Sequence, residues 1–190
     1  MKDFFINSLQ EHNKVFTLLE DCLLEVRLIA EKMLLAIKSG GKIFWMGNGG
    51  SAADAQHLAT ELIGRLKLER KAIPSIALTT DTSILTALSN DYDYSIIFSR
   101  QLEALCTSND VVVGISTSGN SRNVLLGIET AKKIGALTIG FAGEGSGKLA
   151  KCVDICCNVP SKNNVRIQEA HIFVGHILCE FIEKELYQIS

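Results

Sequence analysis

The sequence predicts a three-layer α/β fold, in which a doubly wound sheet of five parallel strands lies between two layers of helices. Five short apolar segments alternate with segments whose apolar residues recur at helical spacing, which is typical of parallel sheets. Most of the apolar segments lack polar interruptions, as expected for strands covered on both faces. A chain of 190 residues has room for one such domain, 1–190.

The amino-terminal part of the chain is predicted to be helical. Apolar residues recur at helical spacing from Asp3 to Lys38, as one long helix or two shorter ones, and Ser39-Gly40-Gly41 ends the pattern. These apolar residues occupy more than one helix face, which favours packing against a second subunit. The domain therefore divides into an oligomerisation segment, 1–38, and an α/β core, 42–190.

The core is predicted to begin with a strand and to end with a long helix. Pro74 introduces the second strand, and Gly135 ends the helix before the fourth. The charged segment 67–71 is expected to be exposed. Asn90-Asp91-Tyr92-Asp93 is expected to break the helix that ends at residue 88. The predicted strands are 42–46, 75–78, 111–115, 137–141 and 155–159. The predicted helices are 51–65, a stretch ending at 88, 94–106, a stretch ending at 134, a short turn before the fifth strand, and 165–186.

Composition and charge restrict the function classes. A net charge of -2 and a pI near 6.1 give no sign of a surface for nucleic acid or anionic membranes, and we expect neither partner. The amino terminus has no apolar signal core, and no apolar run is long enough to span a bilayer. A cytoplasmic location is therefore expected.

Six cysteines raise the question of disulfides or a metal site. Because a chain of this size without an apolar signal core is expected in the cytoplasm, we expect the cysteines to be reduced. Cys152, Cys156 and Cys157 are close enough in sequence to suggest metal binding, but they lack a Cys-x2-Cys pair. Buried, inert thiols are the favoured interpretation.

Two polar loops follow the first and third strands. Gly47-Asn48-Gly49-Gly50-Ser51-Ala52 fits a phosphate loop, and it also fits the G-x-G-x-x-A dinucleotide pattern, for which Asp81 would be a ribose acid at an unusually long spacing. The second loop, 116–121, offers four hydroxyls at a helix start, although such residues also serve as caps and turn formers. Two such loops at one sheet edge favour a phosphate-bearing small molecule.

Several titratable side chains lie on the helices behind these loops. His57 and Glu61, four residues apart, could be a metal half-site, a catalytic pair or a solvated helix face. The last helix carries Gln168, Glu169, His171 and His176 among apolar residues. For His176 alone, a hydrogen-bonded core histidine is the favoured interpretation. Gln168 and His176 are separated by about 12 Å along a straight helix, so spacing does not establish a shared metal.

Four motifs carry a family resemblance. They are Gly47-Asn48-Gly49-Gly50-Ser51-Ala52-Ala53-Asp54-Ala55-Gln56-His57 with Glu61, Leu88-Ser89-Asn90-Asp91, Ser116-Thr117-Ser118-Gly119-Asn120-Ser121, and Gln168-Glu169 with Gly175-His176. Together they resemble the phosphoheptose isomerase family over essentially the whole chain. The resemblance implies a sugar isomerase (SIS) fold of flavodoxin-like type and a homotetramer with active sites at subunit boundaries. It also implies conversion of D-sedoheptulose 7-phosphate to D-glycero-D-manno-heptose 7-phosphate through an enediol, the first step towards activated heptose for lipopolysaccharide or capsule.

The resemblance further implies roles for individual residues. The catalytic acid-base pair would be Glu61 and His176. One zinc ion per subunit would be held by His57, Glu61, Gln168 and His176. The phosphorylated seven-carbon sugar would be contacted by Asn48, Gly49, Gly50, Ser51, Glu61, Asn90, Asp91, Ser116, Thr117, Ser118, Ser121 and Gln168.

These residue types suit an aldose-ketose isomerisation. Glu61 is the expected base at C1, and His176 is the expected donor to the developing oxyanion. Two other hypotheses stay open. One is a non-enzymatic SIS-fold tetramer that binds the bacterial replication initiator, and the other is a dinucleotide-dependent oxidoreductase.

Overall fold

A sheet of five parallel strands forms the centre of the protein. The structure is a computed structural model that describes residues 2–187; residues 1 and 188–190 of the predicted domain lie outside that range. The strand order is β2-β1-β3-β4-β5, and all neighbouring strands are parallel. The doubly wound sheet predicted from the sequence is confirmed. The strands are β1 (Ile43–Gly47), β2 (Ser75–Ala77), β3 (Val111–Ile115), β4 (Leu137–Ala142) and β5 (Ile155–Asn158).

Helices precede the sheet and connect its strands. The amino-terminal segment consists of two helices joined by a 3-10 turn, Leu19–Cys22, which decides between the two alternatives left open by the sequence. The helices are α1 (Lys2–Leu18), α2 (Leu23–Lys38), α3 (Gly50–Ile63), α4 (Thr82–Asp91), α5 (Ser99–Leu105), α6 (Arg122–Ile134), α7 (Leu149–Cys152) and α8 (Asn164–Tyr187).

Two helix predictions are wrong in detail. Asn90 and Asp91 do not break α4 but are its last residues, because the helical hydrogen bonding continues to Tyr92, whose N–H donates to Leu88 O. The helix predicted over 94–106 is a 3-10 turn, Tyr94–Ile96, followed by α5. The side chain of Asp93 starts this turn by accepting a hydrogen bond from Ser95 N at 2.8 Å.

The core lies on both faces of the sheet, and neighbouring residues of β1 point to opposite faces. Trp45 packs with side chains of α2, α3 and α8, whereas Phe44 and Met46 pack with side chains of α5 and α6. Every residue of β1 and β3 is buried, which explains why their sequences are apolar throughout. Helices therefore cover both faces of the sheet, as the continuous strands predict.

The two polar loops leave the sheet side by side. β1 pairs with β3 in parallel register, so that Gly47 lies opposite Ile115 at the carboxyl ends of both strands. β2 lies on the other side of β1, and the direction of winding reverses between β1 and β3. This is the switch point at which open α/β sheets bind ligands. The chain topology therefore brings the 48–51 and 116–121 loops to one edge.

One prediction about the surface is wrong for a single residue. The segment 67–71 is mostly exposed, but the side chain of Arg70 is only 1% exposed because it forms an ion pair with Glu183 of α8. None of the helices between residues 2 and 187 combines the length and apolar character that a membrane crossing requires.

The cysteines are unpaired. Burial raises the pKa of Cys156 and of Cys157 to about 12, so neither forms a reactive thiolate at neutral pH. Cys157 is fully buried, whereas Cys156 is partly exposed because β5 is the edge strand. Burial is thus confirmed for Cys157, whereas Cys152 and Cys156 are less buried than expected, and the reduced state of the thiols stays a prediction.

Candidate active site

The first polar loop is tied to the second by a pair of side-chain amides. Asn48 Nδ2 donates to Asn123 Oδ1 at 2.9 Å, and Asn123 Nδ2 donates to Asn48 Oδ1 at 2.8 Å. The hydroxyl of Tyr94 also donates to Asn48 Oδ1 at 2.9 Å. Asn123, on α6, is 3% exposed. Asn123 and Tyr94 were missed by sequence reasoning, because nothing local links either of them to Asn48.

A cavity opens beside this amide pair. It has a volume of about 330 Å³ and includes Tyr94, Ser121 and Arg122 in its lining. Arg122 is exposed, and it is the first residue of α6. The cavity therefore offers a hydroxyl, a cation and a helix amino terminus, and the Asp93 carboxylate in its lining interacts with the charge of Arg122.

The glycines of the first loop bring α8 against the start of α3. Gly49 has a φ of +55°, a conformation that favours glycine. A Cβ placed on Gly50 would lie 2.6 Å from Gln168 Nε2, so the amide of Gln168 lies directly over this residue. Ser51, in the first turn of α3, is buried. We call the first polar loop, 48–51, the glycine loop. Gln168 of α8 and the glycine loop thus form one continuous surface.

The second loop presents its hydroxyls at the amino terminus of α6. Ser116 and Ser121 share a hydrogen bond between their Oγ atoms at 2.9 Å. Ser121 occupies the N-cap position, yet its side chain makes no capping hydrogen bond. Thr117 and Ser118 are progressively more exposed. A simple cap would direct the hydroxyl of Ser121 to the helix N–H groups, so the arrangement suits a bound anion better than a structural turn.

The second polar loop, 116–121, which we call the serine loop, is supported by a glycine-rich loop, 143–147, that follows β4. Gly143 N donates to Thr117 O at 3.0 Å, and Leu149 N donates to Gly119 O at 2.9 Å. Gly119 has a φ of +64°, and a Cβ there would lie 1.9 Å from Ser146 O. Only glycine fits such a close approach of two backbones. The conformation of the serine loop is therefore fixed by tertiary contacts.

Behind the glycine loop, α3 and α8 bring three titratable side chains together. His57 Nε2 lies 2.9 Å from His176 Nε2 and 3.1 Å from Glu61 Oε1. The ligand atoms of these three residues all lie within 4.8 Å of one another, and no other group of three such side chains does so within residues 2–187. The side chain of His57 is 50% exposed and that of Glu61 is 19% exposed. We call His57, Glu61 and His176 the triad.

Close packing of the two helices makes the triad feasible. A Cβ on Gly175 of α8 would lie 2.4 Å from Leu58 Cδ1 of α3. Leu58 is fully buried. The helices can approach this closely only because residue 175 has no side chain, and each contributes a neighbouring histidine at the crossing, His57 and His176.

The donor set of the triad fits a divalent metal such as zinc. Two imidazole nitrogens and one carboxylate oxygen are zinc ligands, and three protein ligands with an open side are typical of catalytic zinc sites. Gln168 lies further along α8, against Gly50, and its role as a fourth ligand stays a prediction. The cysteines contribute nothing to such a cluster within the described part of the chain.

Asp54, one turn before His57 on α3, was missed by sequence reasoning. Burial raises the pKa of its carboxyl to about 6, against the opposing effect of the charge of His57. Its Oδ2 atom is buried and makes no hydrogen bond to any residue in the 2–187 range. Asp54 lies three residues before His57 on the same helix, and this spacing, which places both side chains on one helix face, was the available signal in the sequence.

The remaining predicted contacts lie at the end of α4. Asn90 and Asp91 are exposed, and Asn90 Nδ2 donates to Asp91 Oδ1 at 2.8 Å. Asp81, the candidate ribose acid, caps α4 by accepting from Ile84 N at 2.9 Å. The contacts of Asn90 and Asp91 with a substrate stay predictions.

Comparisons with known proteins agree with this geometry. Residues 7–143 match the SIS domain family. A phosphoheptose isomerase of Aquifex aeolicus is 55% identical over 162 residues, which cover 85% of each chain. A phosphoheptose isomerase of Trichlorobacter lovleyi is 47% identical over 190 residues, which cover 100% of this chain and 97% of that relative.

Solved structures show the same relationship. The phosphoheptose isomerase of Neisseria gonorrhoeae is 39% identical and superposes with a TM-score of 0.92 over 96% of this chain and 98% of that chain. The phosphoheptose isomerase of Francisella tularensis is 34% identical, with a TM-score of 0.83 over 93% and 98%. The chain therefore belongs to the phosphoheptose isomerase family and is a SIS-domain isomerase.

Proposed function

We propose that this protein converts D-sedoheptulose 7-phosphate to D-glycero-D-manno-heptose 7-phosphate, the first step towards activated heptose for lipopolysaccharide or capsule. The observation that carries the proposal is the triad, in which a carboxylate and two imidazoles converge within 4.8 Å. The helix that supplies two of these residues begins at the glycine loop, beside the serine loop. This arrangement supports the proposal that acid-base groups and an anion site share one sheet edge.

The serine loop is the proposed phosphate site. Ser116, Thr117, Ser118 and Ser121 supply hydroxyls at the amino terminus of α6, where the helix dipole favours an anion. Binding the 7-phosphate there would orient the distant C1 and C2 atoms. The glycine loop, Gln168, Asn90 and Asp91 are the proposed contacts for the sugar hydroxyls.

The triad would perform the proton transfers. Glu61 removes a proton from C1, and the electrons form the enediol double bond while O2 gains a proton. Protonation of C2 and loss of the O1 proton then give the aldose. We assign His176 as the group that would exchange protons with the two oxygens.

Zinc is the proposed metal, one ion per subunit. His57, Glu61 and His176 would hold it, with Gln168 as the fourth ligand implied by the family. Bound zinc supplies Lewis-acid polarisation of the C2 carbonyl. The choice of zinc rests on the nitrogen and oxygen donor set, and metal analysis of the purified protein tests it.

We further propose a homotetramer with active sites at subunit boundaries. Residues 2–38 of the oligomerisation segment expose large apolar side chains, and a groove of about 690 Å³ lies between α2 and α8. Half of the His57 side chain is exposed in one chain, so a second subunit would enclose the site. Sedimentation equilibrium tests the tetramer. The most exposed apolar residues of the segment are Phe4, Phe5, Leu9, Leu24 and Leu35, all at least 57% exposed.

The competing hypotheses have less support. The relatives named above are isomerases, and none is named as a binding protein of the replication initiator. Asp81, which a dinucleotide site would need for the ribose, is engaged in capping α4. The unpaired cysteines fit a reducing compartment, and we propose that the reaction takes place in the cytoplasm.

A direct assay tests the proposed reaction. Pure protein is incubated with sedoheptulose 7-phosphate, and the aldose phosphate is detected by NMR. Glu61→Gln should bind the substrate with nearly unchanged affinity while turnover falls by about three orders of magnitude, because the base is lost. Glu69→Gln is the matched control, since Glu69 is 88% exposed. Near-normal turnover by Glu61→Gln would exclude Glu61 as the base.

A further inference from the structure

A buried ion pair joins the segment after α3 to α8. Arg70 Nε lies 3.0 Å from Glu183 Oε1, and both side chains are only 1% exposed. The carboxylate of Glu183 also accepts three backbone hydrogen bonds of 2.8 to 3.1 Å, from the N–H groups of residues 66–68. Removing such a pair from water is costly unless hydrogen bonds satisfy both charges, as they do here. We call Arg70 and Glu183 the clasp.

The guanidinium of Arg70 also holds the last turn of α3. Its Nη2 atom donates to Glu61 O at 2.7 Å, and its Nη1 atom donates to Leu62 O at 2.7 Å and to Gly64 O at 3.0 Å. The last carbonyls of a helix lack partners within the helix, and a cation stabilises this end. One of the carbonyls belongs to Glu61, so Arg70 directly fixes the backbone of the residue that we assign as the base.

The clasp and the triad share one side of α8. Glu183 follows His176 by seven residues, or two helical turns, which places both on the same helix face. Gly175, next to His176, packs against Leu58, next to His57. The triad thus lies at a close contact of α3 with α8, and the clasp joins the end of α3 to α8 two turns further along.

We propose that Arg70 and Glu183 are positioning residues of the isomerase, which fix the Glu61 carboxylate relative to His176. This inference rests on the proposed function. Neither side chain belongs to the triad or to the polar loops. Loss of the clasp should therefore lower kcat while KM changes little, because the proposed phosphate site lies on a different loop, after β3.

Two substitutions separate positioning from folding. Arg70→Lys keeps a positive charge beside Glu183, but a single ammonium cannot reproduce the hydrogen bonds of the guanidinium to four backbone carbonyls, including Lys71 O at 3.1 Å, and to the carboxylate. Glu183→Gln keeps the shape and removes the charge. The matched control is Glu180→Gln, one turn earlier on α8, whose ion pair with Lys67 at 2.8 Å is partly exposed and contributes little.

We expect the substitutions at Arg70 and Glu183 to lower kcat and to leave KM nearly unchanged. Arg70→Lys and Glu183→Gln should lose about 10- to 100-fold in kcat, since a shift of about 1 Å at the reacting groups has effects of this size. KM should stay within about twofold of the wild-type value, and Glu180→Gln should match the wild type in both constants. If Glu183→Gln does not fold, Arg70→Lys, which retains the charge pair, carries the comparison.

Zinc affinity gives a second measurement that does not depend on turnover. Competition with a chromophoric chelator should show weaker zinc binding by Arg70→Lys than by Glu180→Gln, because the clasp holds the helix that bears His57 and Glu61. Wild-type protein that binds zinc without isomerising sedoheptulose 7-phosphate would refute the proposed function, and the zinc comparison would still decide the role of the clasp. Variants with a lower melting temperature but control-like kcat and zinc affinity would overturn the positioning role.

Discussion

Gly175→Ala should impair catalysis far more than it impairs folding. The new methyl group would lie 2.4 and 2.5 Å from the two terminal carbons of Leu58, about 1 Å closer than carbon atoms normally approach. Leu58 is fully buried in the core and has no open space to turn into, so we expect separation of α3 and α8 to relieve part of the overlap. The separation falls where His57 Nε2 and His176 Nε2 are 2.9 Å apart, and it therefore displaces the triad.

The two expected effects differ in size. Overpacking a core costs about 1–3 kcal/mol, but alanine is about 1 kcal/mol better than glycine within a helix. The net loss of stability should thus be at most about 2 kcal/mol, whereas a shift of about 1 Å in catalytic groups lowers turnover about 100-fold. Steady-state kinetics with sedoheptulose 7-phosphate and urea unfolding measure the two quantities on the same preparation.

Gly127→Ala is the matched control for this prediction. Its methyl group would lie 2.6 Å from Met46 Sδ, in the core on the other face of the sheet. It should cost similar stability without a comparable loss of turnover. The double variant Gly175→Ala with Leu58→Ala should recover part of the lost kcat, since the second change makes room for the first. Normal kcat in folded Gly175→Ala would refute the account of helix packing.

Three further predictions concern loops and pH. Burial lowers the pKa of His171 to about 4, so its contribution to stability is complete above about pH 6.5 and is lost towards pH 4; between pH 7 and 5.5 the loss is about 1 kcal/mol, and urea titrations of His171→Gln should lack it. The carboxyl of Asp54 has a raised pKa of about 6, so its cost to stability builds up between about pH 4 and pH 6 and is complete above pH 6; Asp54→Asn should raise the melting temperature much more at pH 8 than at pH 4. Gly119→Ala should raise KM more than it lowers kcat, because the methyl group would overlap Ser146 O and deform the serine loop; an unchanged KM would argue against a phosphate site there.

Local pattern was sufficient to predict the sheet. β1 and β3 are apolar throughout and buried at every position, so their sequences alone predicted covered strands. The glycine and serine loops follow these strands directly, and parallel pairing at the centre of the sheet necessarily brings them together. The same reasoning failed at Asn90 and Asp91, because residues that favour turns were tolerated in the last turn of α4.

Contacts between distant residues were beyond local pattern. His57 and His176 are separated by 119 residues, and only the crossing of α3 and α8 brings their Nε2 atoms together; the spacing of each alone favoured a surface or core role. The resemblance to a family supplied that pairing. The resemblance did not supply the clasp. Arg70 lies 113 residues from Glu183, in a charged segment whose composition predicts exposure to solvent.

Isotope incorporation tests the central claim, that the triad removes a proton from C1, exchanges it with solvent, and protonates C2 of an enediol. The wild-type protein is allowed to isomerise sedoheptulose 7-phosphate in D2O, and the aldose is analysed by NMR and mass spectrometry. We expect solvent deuterium at C2 of the product with wild-type protein, and none above background with Glu61→Gln. Full activity with no deuterium at C2 would contradict proton exchange through an enediol, and incorporation by Glu61→Gln at the wild-type rate would remove Glu61 from the reaction.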